Sequence, residues 1–156
     1  MISIEQGDTV YDLYCGTGTL GICASMKAKH VIGIDVSAES TLDARTNAKL
    51  NNAENVTIIT GAIRNTLSHV IDDAFYTKPQ IVVVDPPRPG LDPEALSSLI
   101  KIGAKKILYV SCNPITQAQN VSDLMEHGYR ISAMQLVDQF AHTPHMENVV
   151  VLKKGI

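Results

Sequence analysis

Long apolar runs are missing from this 156-residue sequence: none approaches the ~18 consecutive residues that a membrane span needs, so a transmembrane helix is excluded. The first residues, Met1 to Asp8, have neither a basic start nor an apolar stretch, and no signal peptide is expected. Cysteine is scarce. Three residues, an odd number without zinc-like pairing, make no disulfide framework and suit a reducing cytosol. Positive charge is not in excess, and a formal net charge of -3 gives no global electrostatic grip on nucleic acid. Aromatic residues stand at 4%, and internal repeats, low-complexity tracts and long linkers are lacking. What is present is 45% apolar residues with 10 Gly and 7 Pro, which excludes a disordered or collagen-like chain. The length fits one domain, residues 1–156, burying roughly two-thirds of its extended surface on folding. A soluble cytoplasmic domain without membrane contact is expected.

Short β-branched runs alternate with longer helical patterns. Strands are expected at Thr9–Leu13, His30–Asp35, Asn55–Thr60, Gln80–Asp85 and Lys105–Val110. The nearly all-apolar runs Val31–Ile34 and Ile81–Val84 are how strands look when a parallel sheet is covered on both faces. Helices are expected at Thr19–Lys27, Ala38–Leu50, Asn65–Ala74, Pro93–Ile102 and Thr116–His127, the last stopping at Gly128 as a cap. In the second helix, Leu42, Ala44, Ala48 and Leu50 mix with polar positions as in an amphipathic surface helix. Tyr129–Val137 and Glu147–Lys153 are strand-like with no room between them for a crossover helix, so they pair antiparallel. The series predicts a doubly wound, Rossmann-like α/β sheet, mostly parallel with an antiparallel C-terminal strand and helices on both faces. Ligands of such sheets bind at the carboxyl ends of the strands.

Those ends carry the unusual residues. Gly16, Gly18 and Gly21 after the first strand have the spacing of a dinucleotide fingerprint, and Asp35 ends the second strand, placed for two ribose hydroxyls. The same glycines could serve only a tight turn, but the strand–loop–helix setting and the acid favour a cofactor. Asp12 before the loop is a poor neighbour for a pyrophosphate and a good one for a sulfonium or amino group, so S-adenosylmethionine is preferred over NAD. Asp85 ends the fourth strand before Pro86 and Pro87, a rigid exit suited to a wall beside a planar base, or equally to a stiff capped turn. Arg88 is open between a phosphate contact and a solvated surface. Cys112 follows the fifth strand, where Asn113 and Pro114 end it and turn the thiol toward a cleft. On context alone it stays open between a packed thiol and a nucleophile. Cys23 reads as a small buried hydrophobe and Cys15 as packed beneath the glycine loop. His142, His145 and Glu147 could be metal ligands, but no further acid or cysteine stands at ligand spacing and Pro144 breaks a helical face, so no metal is expected. Glu147, opening the last strand, reads better as a general base.

Asp12-Leu13-Tyr14-Cys15-Gly16-Thr17-Gly18, Asp85-Pro86-Pro87-Arg88, Ser111-Cys112-Asn113-Pro114 and His142-Thr143-Pro144-His145-Met146-Glu147 occur in this order across almost the whole chain. Together they resemble the S-adenosylmethionine-dependent RNA 5-methyluridine methyltransferases, which act on uracil in ribosomal or transfer RNA. The resemblance implies that Tyr14, Thr19, Asp35 and Asp85 contact the cofactor and that Gly16 and Gly18 shape its loop. It also implies that Cys112 is the nucleophile and Glu147 the base, and that the target base leaves its stack to be modified. An RNA substrate, ribosomal ahead of transfer RNA, and a monomer are expected.

Three positions depart from the family pattern: Arg64 stands where an acidic residue usually follows the third strand, Asn120 where Ala-Arg-Asp ends a segment, and Ala141 where a proline is usual. The upstream oligonucleotide-binding barrel, iron–sulfur cysteines and cofactor-binding glutamine that members often carry are not in this sequence, which reads as the catalytic domain alone. Rival readings are an exocyclic-amine methyltransferase, which needs no cysteine, and a non-catalytic cofactor-binding or NAD-binding module.

Overall fold

β-Branched and aliphatic side chains build the centre of the sheet. In the computed structural model, which describes residues 1–72, 76–138, 142–143 and 146–155, the strands are β1 (Thr9–Leu13), β2 (His30–Asp35), β3 (Val56–Thr60), β4 (Ile81–Val84), β5 (Lys106–Ser111), β6 (Tyr129–Val137) and β7 (Glu147–Lys154). They lie in the order β3-β2-β1-β4-β5-β7-β6. β1 to β5 run parallel, and β7 inserts antiparallel between β5 and β6. The helices are α1 (Thr19–Ser25), α2 (Ala38–Leu50), α3 (Ile63–Asp72), α4 (Pro93–Ile102) and α5 (Pro114–Glu126). The strand order reverses at β1, which pairs with β2 on one side and β4 on the other. In open α/β sheets a crevice opens at the carboxyl ends of the strands at such a switch point.

Alternation along the strands divides the core. Tyr11, Leu13, Ile32, Ile34, Val82 and Val84 face one way and pack with Leu67, Leu99 and Leu124 of α3, α4 and α5. Val10, Val31, Ile81 and Val83 face the other way and pack with Ala24 and Ala28. Covering on both faces is why these strands read as continuous apolar runs.

Helix starts follow local chemistry. Asp92 caps α4 by accepting from the Ala95 amide at 2.8 Å, and Asn113 caps α5 by accepting from the Ile115 amide at 3.2 Å. Each cap is followed by a proline, which lacks the N–H that a first turn leaves unpaired. α5 therefore begins at Pro114, two residues before the expected Thr116, and α3 begins at Ile63 rather than Asn65. Gly128 follows α5 with φ 89, as expected of its cap.

Two packing expectations are corrected. Leu42 and Leu50 are 63% and 75% exposed, while α2 buries Thr41, Ala44 and Ala48. At about 100° per residue, Leu42 and Leu50 point away from the Ala44–Ala48 stripe, so the apolar residues never formed one face. Cys23 is exposed, because α1 turns Gly21, Ala24 and Ser25 inward. Cys15 is buried as expected. Among the described residues no helix is long and apolar enough to cross a membrane.

Candidate active site

The glycine loop leaves β1 through three left-handed residues, Tyr14 (φ 61), Gly16 (φ 51) and Gly18 (φ 85). A tyrosine in this region is strained and needs its surroundings to hold it. Tyr14 is half-buried against the large apolar cluster. A Cβ on Gly16 would meet nothing within 4 Å, so open space lies over the loop there, and its positive φ favours glycine. Gly18, left-handed like Gly16, also serves packing, and Gly21 serves packing alone. A Cβ on Gly18 would come within 3.2 Å of Ala44, and one on Gly21 within 2.8 Å of Asp12 Oδ2. The fingerprint spacing thus seats α1 against β1 and α2 as much as it frees the loop. Thr19 opens α1 with an exposed side chain.

Two carboxylates organise this corner. Asp35 accepts from the Gly16 amide through Oδ2 and from the Ser37 amide through Oδ1, each at 2.9 Å, tying the β2 end to the loop and to the start of α2. Asp12 is 1% exposed; its Oδ2 accepts from the Gly21 amide at 2.7 Å, and its Oδ1 is buried without a hydrogen-bond partner. Burial pushes its pKa up to about 7; the Gly21 N–H opposes the shift, and the charges of Asp85 and Asp35 add to it. An unsatisfied carboxylate close to two further acids is an electrostatic invitation to a cation. Asp12 therefore faces α1, with the charges of Asp85 and Asp35 close enough to bear on it.

Across the switch point, the Asp85 amide donates to the Leu13 carbonyl at 3.3 Å, which joins the β4 exit to the β1 exit. The Asp85 carboxylate keeps an open side, yet partial desolvation between the strand ends, and then the charge of Glu147, push it up to about 6. Cys112 is half-buried just beyond β5. The β5–β7 ladder ends on the pair Ser111 and Asn148, so the next positions on the two strands are Cys112 and Glu147. Antiparallel register thereby puts two residues 35 positions apart in the chain next in line beyond the last pair of the ladder. His145 and Ala141 of the preceding segment lie outside the described residues, and His142 sits in a turn with φ 67.

Three buried amides hold these loops. Gln117 Nε2 donates to the Tyr109 carbonyl at 2.9 Å and to the Asn148 carbonyl at 3.1 Å, and the Asn148 side-chain amide donates back to Gln117 Oε1 at 2.6 Å. Asn120 Oδ1 accepts from the Tyr109 hydroxyl at 2.8 Å and the Leu91 amide at 2.9 Å. The position needs an acceptor rather than a charge, so asparagine serves where the family pattern has aspartate. The Arg88 carbonyl accepts from Asn113 Nδ2 and Thr116 Oγ1, both at 3.0 Å, which staples the loop after β4 to the start of α5. Gln117 escaped the sequence reading, and Asn120 entered it only as a departure from the family pattern. Their signal was there: with Val121 and Leu124 they occupy the buried stripe of α5, where polar residues must find partners.

A hollow of about 230 Å³ opens beside the loop, lined by Tyr14, Val36, Ala62, Ile63, Arg64 and Asp92. Val36 follows Asp35 and is 68% exposed, an uncovered apolar residue in the lining of the hollow. A larger hollow of about 380 Å³ lies between α2 and β3, around Arg45, Lys49 and Ile58, and its lining includes none of the carboxyl-end residues described above. Size alone does not locate the chemistry.

A seven-stranded sheet of this order, with acids and a glycine loop at its switch point, is the architecture of the Rossmann-like methyltransferases. An rRNA methylase from Streptococcus thermophilus shares the fold, with TM-score 0.73 over 97% of this chain and 89% of that one at 15% identity. The family profile of tRNA (uracil-5-)-methyltransferases matches residues 1–155, and the chain belongs to that family. A tRNA (uracil-54, C5)-methyltransferase from Pyrococcus abyssi, solved with S-adenosyl-L-homocysteine, superposes with TM-score 0.78 at 32% identity, covering 96% of this chain and 35% of that one. An uncharacterized RNA methyltransferase of Protochlamydia amoebophila is 46% identical over 97% of this chain and 34% of its own length. A second, from Clostridium tetani, is 44% identical over 98% and 32%. The chain thus spans about a third of the length of these relatives.

Proposed function

We propose that this chain binds S-adenosylmethionine and carries out methyl transfer to C5 of a uridine in RNA, with Cys112 as nucleophile and Glu147 as base. The observation that carries the proposal is the end of the β5–β7 ladder, where Cys112 and Glu147 come next in register beside Asp85. The cofactor suits the site. The orphaned Oδ1 of Asp12, with Asp35 and Asp85, favours a cation, the open side of Gly16 admits a close approach, and the hollow beyond Val36 offers apolar walls to a base. Tyr14, Gly16, Gly18, Thr19, Asp35 and Asp85 are the residues proposed to hold it.

When bound, S-adenosylmethionine supplies an electrophilic methyl group on sulfur. Uracil C5 is a poor nucleophile, and the chain's own residues correct that. The Cys112 thiolate forms a bond to C6, the C5–C6 electron pair moves toward O4, and C5 becomes electron-rich enough to take the methyl group. Glu147 then removes the C5 proton; the electron pair left behind restores the C5–C6 double bond and expels the thiolate. Asp85, an acceptor when charged, is suited to the N3–H of the uracil edge as well as to the cofactor. The P. abyssi relative's name favours transfer RNA over the ribosomal RNA expected from the sequence. With a net charge of -3 on this chain, most of the grip on RNA is proposed to reside in the remaining two-thirds of proteins of this kind.

RNA carrying 5-fluorouridine, incubated with the protein and cofactor, should give an adduct stable to denaturing electrophoresis at Cys112, because fluorine at C5 cannot leave as a proton does. Glu147→Gln should trap a methylated adduct on ordinary RNA. Methylation by Cys112→Ala would overturn the covalent mechanism and point to an exocyclic-amine acceptor.

A further inference from the structure

The hollow beside the glycine loop has apolar walls from Tyr14, Val36 and Ile63 and, among the described residues, two side chains with charge, Arg64 and Asp92. Adenine presents two apolar faces, one exocyclic amine that donates, and three ring nitrogens that accept. A guanidinium has donors only and a carboxylate acceptors only. Of the charged pair, Asp92 alone can therefore take the amine, and Arg64 can serve only the ring nitrogens. Asp92 is held in place: Oδ1 accepts from the Ala95 amide at 2.8 Å as the cap of α4, which leaves further lone pairs on the carboxylate. Its field enters the hollow, since the Tyr14 phenol is pushed up to about 12 by burial and then by the charge of Asp92.

We propose that Asp92 is the specificity residue for the cofactor's base, accepting the exocyclic amine of adenine while it caps α4. The proposal rests on the S-adenosylmethionine reading above. It is tested by calorimetric titration with S-adenosylhomocysteine and with S-inosylhomocysteine, in which the amine is replaced by a carbonyl oxygen. The wild-type chain should prefer the adenosyl compound by roughly tenfold or more, the worth of one hydrogen bond to a charged group. Asp92→Asn retains a good helix cap, and its amide can donate to the inosine oxygen, so the preference should vanish or invert. Asp92→Ser, also a good cap, should lose adenosyl affinity without gaining inosyl affinity. A preference unchanged in Asp92→Asn, or equal wild-type affinities, would overturn the assignment of Asp92 alone. A wild-type chain that takes up neither compound would overturn the cofactor reading itself.

Discussion

Asp12 makes stability depend on pH in a direction opposite to that of most carboxylates. The unfolded chain binds the Asp12 proton with the ordinary value of 3.8, and the folded chain with a value of about 7. Between those values the folded state holds more protons, so stability falls as pH rises through the window. The full difference corresponds to about 4 kcal/mol at 1.36 kcal/mol per unit, of which roughly 2–3 kcal/mol is lost between about pH 5 and about pH 8. Asp12→Asn keeps the shape and the acceptor for the Gly21 amide, and it removes the titration. Its buried NH₂ is left unpaired where Oδ1 was, at about 1–3 kcal/mol, and that cost does not change with pH. Urea unfolding of both proteins at about pH 5 and about pH 8 separates the two effects, because the other groups largely cancel in the difference. The wild type should lose roughly 2–3 kcal/mol more than the variant on going to the higher pH. Equal pH slopes would refute the idea that an uncompensated carboxylate faces α1.

Gln117→Leu should destabilise by about 2–4 kcal/mol, since the Tyr109 and Asn148 carbonyls lose their donor, and it should lower kcat more than it raises KM because Asn148, next to the proposed base Glu147, loses its clasp; an unchanged melting temperature would count against the amide clasp. Leu99→Ala, at a fully buried position of α4, should cost about 2–5 kcal/mol in the same urea assay. The rate of adduct formation with 5-fluorouridine RNA should fall as pH drops below about 6, where Asp85 takes up a proton, and Glu147→Gln should move that limb downward by removing the neighbouring charge. A limb that stays in place in the variant would separate the two carboxylates. Iodoacetamide should label exposed Cys23 readily and leave Cys15 untouched, because burial and then the charges of Asp12 and Asp35 push the Cys15 thiol up to about 12; peptide mass mapping reads the order.

The limits of the sequence reading are physical. β-Branched runs, proline after a capping residue and glycine after a helix act over a few residues, so β1, β2, β6, α2 and α4 fell where expected to the residue. Which face a side chain takes depends on its neighbours in space. Leu42 and Leu50 read as apolar positions of an amphipathic helix together with Ala44 and Ala48 and are exposed, and Cys23 looked buried and is not, because α2 and α1 turn the small residues Ala44, Ala48, Gly21 and Ala24 inward. The orphaned oxygen of Asp12 and the reciprocal pair of Gln117 with Asn148 leave no mark in a linear pattern, since each is defined by partners on other elements.

By itself, the sequence determined the doubly wound order of elements and that Asp35, Asp85 and Cys112 would stand at strand ends, since alternation, caps and breakers are local. The antiparallel pairing of β6 with β7 is legible in the sequence, but only the tertiary structure decided that β7 lies between β5 and β6, so that Glu147 and Cys112 are the next positions beyond the last pair of the β5–β7 ladder. Strand order and register are set by hydrogen bonding and packing between distant segments, and no local preference encodes them.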